Sequence, residues 1–128
     1  MEVLLRAALI AWLTSDPALA VLNSVTEEVP LKPSAPWLAI AASASVDWST
    51  KDAAGREVRI ALELHCRGDA PGTAADLVTA IEARVAGLPR TQAGFSIAGT
   101  QFLRARAELR DRNTRAILLE YRFRVLAG

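Results

Sequence analysis

The sequence predicts an α+β fold in which a roughly four-stranded, antiparallel or mixed sheet packs against two helices, in the order helix, strand, strand, helix, strand, strand. Three observations support it. Apolar and polar residues alternate from Glu57 to His65, which is typical of a half-buried strand. From Ala74 to Leu88 the apolar residues lie three and four apart, as on one face of a helix. Alternation returns in two runs between Leu103 and Val125. Elements with one apolar face each are expected to pack together.

The first helix is expected over about residues 2 to 14. Its apolar stripe consists of Leu5, Leu9, Trp12 and Leu13. Ser15-Asp16-Pro17 ends it, because the residue before a proline disfavours helical backbone. Glu2 and Arg6 are atypical of a signal peptide, and no segment reaches the roughly 18 apolar residues of a membrane span.

The next segment is predicted to be a proline-rich connector followed by a strand. Pro30, Pro33 and Pro36 favour extended or looped backbone. The run from Trp37 to Ala42 is apolar on both faces, so it is either a central strand or one that a neighbouring subunit covers.

Residues Ser43 to Gly55 are small, polar and turn-prone, and we expect a loop there. Trp48 lies within this loop. Its ring either packs back onto its own sheet or contacts another chain, since tryptophan is enriched among interface anchors.

The second helix is expected to begin near Thr73, in the N-cap position, with Asp76 completing a pattern close to a capping box. Gly87 and Pro89 supply its end.

The C-terminal region is expected to form a long hairpin. A strand begins at Phe95, with Gly94 and Gly99 allowing a bend or bulge. The turn is expected at Asp111 to Thr114. On the first strand, Leu103, Ala105, Ala107 and Leu109 are expected to face the helix, opposite Arg104, Arg106, Glu108 and Arg110. On the last strand, one face carries Ile117, Leu119, Tyr121, Phe123 and Val125.

Composition indicates one folded domain over residues 1–128, with 52% apolar and 23% charged residues.

The sequence has one cysteine, Cys66, and one histidine, His65, so it offers neither an intrachain disulfide nor a metal ligand set. Adjacent strand residues point to opposite faces, which argues against a nucleophile and base pair. The common catalytic motifs are absent. These absences argue against an enzymatic activity.

Charge is distributed unevenly along the chain. The net charge is +1, but residues 101–128 carry seven arginines against three acidic residues. Arg104, Arg106 and Arg110 share a predicted strand face, and Arg112 and Arg115 flank the turn. This ladder is either a solvated face balanced by nearby glutamates or a basic face for an acidic protein or nucleic acid.

Taken in order, the elements resemble those of the tail-completion, or tail-terminator, proteins of long-tailed phages and gene transfer agents. The resemblance rests on the opening helix that ends in Ser15-Asp16-Pro17-Ala18-Leu19, the Pro36 to Ile40 strand, the Trp48 loop, the Val58 to His65 strand, the Ala74 to Leu88 helix and the arginine-bearing C-terminal strands.

The resemblance implies a subunit, without cofactor or catalysis, of a ring at the head-proximal end of the tail tube. The ring, expected to be a hexamer, would halt tube growth and join the tail to the head-side connector or stopper protein. It implies a location in the tail of a virion or virus-like particle, assembly in the bacterial cytoplasm, no membrane, and passing contact with DNA.

Site residues are inferred for that role from this sequence alone. The candidate assembly interface consists of Trp37, Trp48, Lys51 and Asp52. The candidate lumen or partner-facing basic face consists of Arg104, Arg106, Arg110, Arg112 and Arg115. Two alternatives remain open: another component of the head–tail connector, and a small nucleic-acid-binding domain.

Overall fold

The computed structural model describes residues 1–28 and 34–128, and in these ranges two helices pack on one face of a six-stranded sheet. In chain order the elements are α1 (Glu2–Thr14), a 3-10 turn (Pro17–Leu19), β1 (Val25–Thr26), β2 (Trp37–Asp47), β3 (Gly55–Arg67), α2 (Pro71–Ala86), β4 (Thr91–Gln92), β5 (Phe95–Arg110) and β6 (Thr114–Ala127). The predicted connector prolines Pro30 and Pro33 lie outside the described residues.

The sheet has the strand order β1-β2-β3-β6-β5-β4. Its four long strands pair antiparallel, and β1 pairs parallel with β2, so the sheet is mixed. The α+β class and the order of the long elements are as predicted. The strand number is not, because β1 and β4 have two residues each and so carry no periodicity.

The helices bury the stripes that their sequences predict. Leu5, Leu9 and Leu13 of α1 are fully buried, and the buried stripe of α2 consists of Ala74, Leu77, Ile81 and Val85. Trp12 and Arg84 join the two helices. The Trp12 indole nitrogen donates to the Arg84 carbonyl at 2.7 Å, Arg84 Nε donates to the Trp12 carbonyl at 2.8 Å, and the guanidinium lies 3.4 Å from the indole centroid.

Two predicted boundaries are wrong. Helix α2 begins at Pro71 with Ala70 as its N-cap and no side-chain cap, so Thr73 and Asp76 do not form a capping box. Proline at the first helical position needs no backbone N–H partner, which allows this earlier start. Strand β2 continues to Asp47 through the small residues expected to form a loop, because they pair with β3 as far as Arg56.

We call the side of the sheet that contacts the helices the core face, and the opposite side the outer face. On β3 the core face carries Val58, Ile60, Leu62, Leu64 and Cys66, all buried. On β6 it carries the predicted set from Ile117 to Val125, also buried.

Strand β5 departs from its predicted packing. Register shifts lie between Ile97 and Gly99, as expected, and between Phe102 and Arg104. Beyond the second shift, Ala105, Ala107 and Leu109 are exposed, and Leu109 is 67% exposed. The prediction that this apolar row faces a helix is therefore wrong. We call residues 103–114 the hairpin arm.

Candidate partner-facing surface

The outer face of the sheet carries most of the charged residues that the sequence singles out. Strand alternation places them there, because residues at even spacing on β3, β5 and β6 share one side. The charged members are Glu57, Arg59, Glu63, His65, Arg104, Arg106, Glu108, Arg110, Glu120, Arg122 and Arg124.

Cross-strand ion pairs neutralise part of this face. Arg104 donates from Nε to a Glu120 carboxylate oxygen, a bond that raises the pKa of Arg104 and lowers the pKa of Glu120. Glu57 forms ion pairs with two arginines of β6. The distances from Nε to Glu57 Oε1 are 3.8 Å for Arg122 and 3.1 Å for Arg124. These contacts match the predicted balancing of the ladder by glutamates.

A buried charged cluster lies near the tip of the hairpin arm, where Arg110 of β5 reaches across β6 to Glu63 of β3. Glu63 is 7% exposed, and its carboxylate oxygens lie 3.0 Å from Arg110 Nη1 and 3.2 Å from His65 Nε2. Arg110 also contacts Glu108 Oε1 from Nη2 at 2.5 Å. The His65 ring stacks on Trp37, with centroids 3.9 Å apart. Burial lowers the pKa of His65, although Glu63 opposes that shift.

This cluster changes the interpretation of two candidates. Arg110 does not lie free on a basic face, because it holds a buried carboxylate of its own chain. Trp37 is 3% exposed in its stack with His65, so the isolated subunit does not present its ring to a neighbour. The strand from Trp37 to Ile40 is covered within the chain, and the exposed part of β2 begins at Ala41.

The turn arginines lie in different surroundings. Arg112 is exposed at the tip of the arm with φ 61, next to Asn113 with φ 54. Arg115 lies on the core side, in register with Cys66 of β3 and Leu109 of β5. Its Nε is buried without a hydrogen-bond partner among the described residues. Arg115 therefore does not belong to the same surface as Arg104 and Arg106.

The loop between β2 and β3 places the other interface candidates at one end of the sheet. Trp48 is half-buried, with the Arg124 guanidinium 5.4 Å from its ring centroid. Lys51 and Asp52 are exposed at the loop tip. The Ser49 hydroxyl orders the loop by donating to Asp47 at 2.7 Å and accepting from the Gly55 N–H at 3.1 Å.

A groove on the core side escaped the sequence analysis. Its volume is about 440 Å³, and its lining includes Glu82, Leu88, Arg90, Phe102 and Tyr121. The Tyr121 hydroxyl is buried without a partner among the described residues, and burial raises the pKa of Tyr121 to about 12. A tyrosine on an otherwise apolar strand face was the only sequence signal for it.

The described residues contain no group of three or more histidine, cysteine, aspartate or glutamate side chains that could hold a metal ion. Cys66 is buried on the core face, where burial raises the pKa of its thiol, and His65 lies on the outer face. The two side chains therefore cannot act as a nucleophile and its base.

Comparison with known proteins identifies the family of the chain. The family model described as "Tail completion protein gp17" matches residues 7–126. The chain belongs to this tail completion family. No curated protein matches the sequence. Among solved structures, a chain of a "Virion of native gene transfer agent (GTA) particle" is similar with a TM-score of 0.85 and 26% sequence identity, over 98% of this chain and 97% of that chain.

Membership of the tail completion family makes this protein a structural component of a phage or gene-transfer-agent tail and not an enzyme. It is a virion-associated component, which implies contacts with other virion proteins. No helix in residues 1–28 and 34–128 is long and apolar enough to cross a membrane. The resemblance to tail-completion proteins, based on the order of the elements, is confirmed.

Proposed function

We propose that the protein forms a ring, expected to be a hexamer, that caps the head-proximal end of the tail tube, stops its growth and joins it to the head-side connector. The observation that carries the proposal is the match, over nearly the full length of both chains, to a component of a gene-transfer-agent virion, together with the tail completion family. A subunit that ends tube growth needs one surface for the tube and another for the next component.

The outer face of the sheet and the turn at the tip of the hairpin arm are the surfaces we assign to contacts beyond the ring. Arg106 and Arg112 are exposed and form no ion pair among the described residues, whereas Arg104 is paired with Glu120. A face with a few free guanidinium groups suits an acidic rim on an adjoining ring or the brief passage of DNA.

Tube growth in the presence and absence of this protein tests the proposal. Tail tube protein is polymerised with the purified protein, and tube lengths and end structures are measured by electron microscopy. We expect the protein at one end of each tube and no further growth from that end. Unchanged tube lengths with binding retained to the head-side connector alone would assign the protein to the connector instead.

A double variant separates the basic face from the fold. Arg104→Gln with Arg106→Gln is expected to keep the free energy of unfolding within about 1 kcal/mol of the parent, as for exposed residues generally. It is expected to reduce joining of tails to heads. If joining is unchanged, the ladder is a solvated face. A steep salt dependence of DNA affinity would instead favour a nucleic-acid-binding role.

A further inference from the structure

The sheet has two unpaired edges of similar length, one on each side. Strand β1 covers β2 only at Leu38 and Ala39, so in the described chain no strand pairs with the outer edge of residues 41–47. Strand β4 covers β5 only at Phe95 and Ser96. After the second shift in β5, the run from Arg104 to Arg110 is regular, as is the run from Ala42 to Asp47 in β2.

Backbone hydrogen bonds show which N–H and C=O groups of β2 point away from β3, toward the open edge. Trp48 donates its N–H to Gly55 of β3 at 2.9 Å, and Leu38 donates to Ser24 at 3.0 Å on the other side. Because inward and outward groups alternate along an antiparallel strand, the outward backbone groups beyond the bulge belong to Ser43, Ser45 and Asp47.

The same reasoning applies to β5. Gly128 donates to Gly94 at 3.3 Å within the β5–β6 pair, and Ile97 donates outward to Arg90 at 2.7 Å. Following the register through both shifts, the residues that hydrogen-bond with β6 are Arg104, Arg106, Glu108 and Arg110. Ala105, Ala107 and Leu109 therefore present their N–H and C=O groups outward.

We propose that neighbouring subunits join through these edges, with residues 43–47 of β2 pairing antiparallel with residues 105–109 of β5 on the next copy. The inference rests on the proposed ring. The strand order makes β2 and β5 run in opposite directions, so the junction continues the antiparallel pattern of the sheet. A ring closed in this way uses two different surfaces of each subunit and leaves neither edge free.

Side chains favour this pairing over one between the β5 edges of two copies. On β2 the outer-face residues Ala42 and Ala44 are small and exposed, which leaves room for the arginine side chains of β5. Two β5 edges together would bring arginines of both copies face to face, and like charges across strands destabilise pairing. The β2 edge has neither proline nor lysine in residues 41–47, the usual protection of an edge that stays solvated.

Amide hydrogen exchange on the assembled ring tests the proposal with an internal control. In the monomer, the inward amides of Ala42, Ala44 and Val46 should exchange slowly and those of Ser43, Ser45 and Asp47 fast. In the ring, the latter three should slow by about tenfold or more, together with Ala105, Ala107 and Leu109. A ring in which these amides stay fast would overturn the edge pairing and leave the ring itself intact. If the protein forms no ring even when tail tubes are added, both the edge pairing and the proposed ring are overturned.

A matched pair of variants tests the same junction. The Ser45 hydroxyl donates to Glu2, so Ser45→Ala and Ser45→Pro both lose that bond, but only the proline variant loses the outward N–H. We expect Ser45→Pro to weaken ring assembly by about tenfold relative to Ser45→Ala, since each interface loses a backbone hydrogen bond. Equal assembly of the two folded variants, measured by mass photometry over a dilution series, would contradict the proposal.

Discussion

Replacement of Arg110 by glutamine tests the buried cluster near the tip of the hairpin arm. The Glu63 carboxylate is 7% exposed, and without the guanidinium at 3.0 Å its remaining partner is His65 at 3.2 Å, whose lowered pKa leaves the ring uncharged at pH 7. A buried acceptor that loses a charged donor costs about 1–3 kcal/mol. The Arg110 side chain is 40% exposed, so we expect a loss of about 1–2 kcal/mol in the free energy of unfolding. Arg106→Gln, on the same face and without an ion pair among the described residues, should change the free energy of unfolding by less than about 0.5 kcal/mol.

Urea unfolding at pH 7 measures both variants, and a double-mutant cycle shows whether the carboxylate is the cause. Glu63→Gln removes the buried charge, so combining it with Arg110→Gln should cost less than the sum of the two single losses. Equal stability of the Arg110→Gln and Arg106→Gln variants, or additive losses in the cycle, would refute the assignment of Arg110 to a structural role.

Three further predictions follow from burial and contacts. Ile81→Ala should cost about 2–5 kcal/mol, because Ile81 is fully buried in the stripe of α2, and a loss below about 0.5 kcal/mol in urea unfolding would contradict that packing. Trp48→Ala should weaken ring assembly, measured by light scattering, more than it lowers the stability of the subunit fold, where the contact of Trp48 with Arg124 contributes about 0.5–1 kcal/mol. Equal losses in assembly and in stability would mean that Trp48 serves the fold alone. The pKa of His65 is lowered from 6.5 in the folded chain, so the unfolded chain binds this proton more readily and stability should fall as pH drops below about 6.5. His65→Gln should therefore reduce the change in the urea unfolding midpoint between pH 7.5 and 5.5.

Periodicity predicted the long elements well. The bounds of α1, its buried leucines and the apolar face of β6 follow directly from spacing, since each element is long enough to repeat its pattern several times. The turn after Arg110 followed from Asp111 and Asn113, which favour turns; Asn113 adopts a positive φ, and so does Arg112 before it. These features depend on local sequence alone.

Features that depend on neighbouring elements were not predictable. The candidate basic face included both Arg104 and Arg115, but the odd and even positions of β5 and β6 place them on opposite sides of the sheet. Trp37 was expected at an interface because its strand is apolar on both faces, yet His65 covers its ring. Its partner lies 28 positions away in sequence and reaches it only through the β2–β3 register.

The prediction that the apolar row of β5 faces a helix failed for a geometric reason, which follows from the lengths of the helices and strands. A 16-residue helix such as α2 spans about 24 Å, whereas a 16-residue strand such as β5 spans about 53 Å. The helices therefore cannot cover the whole strand, and its alternating pattern continues beyond the end of the core. Ala105, Ala107 and Leu109 remain apolar there although no helix reaches them. An uncovered apolar row with outward backbone groups is costly for a lone subunit in water, so its retention on the arm favours a covering by another subunit in the tail.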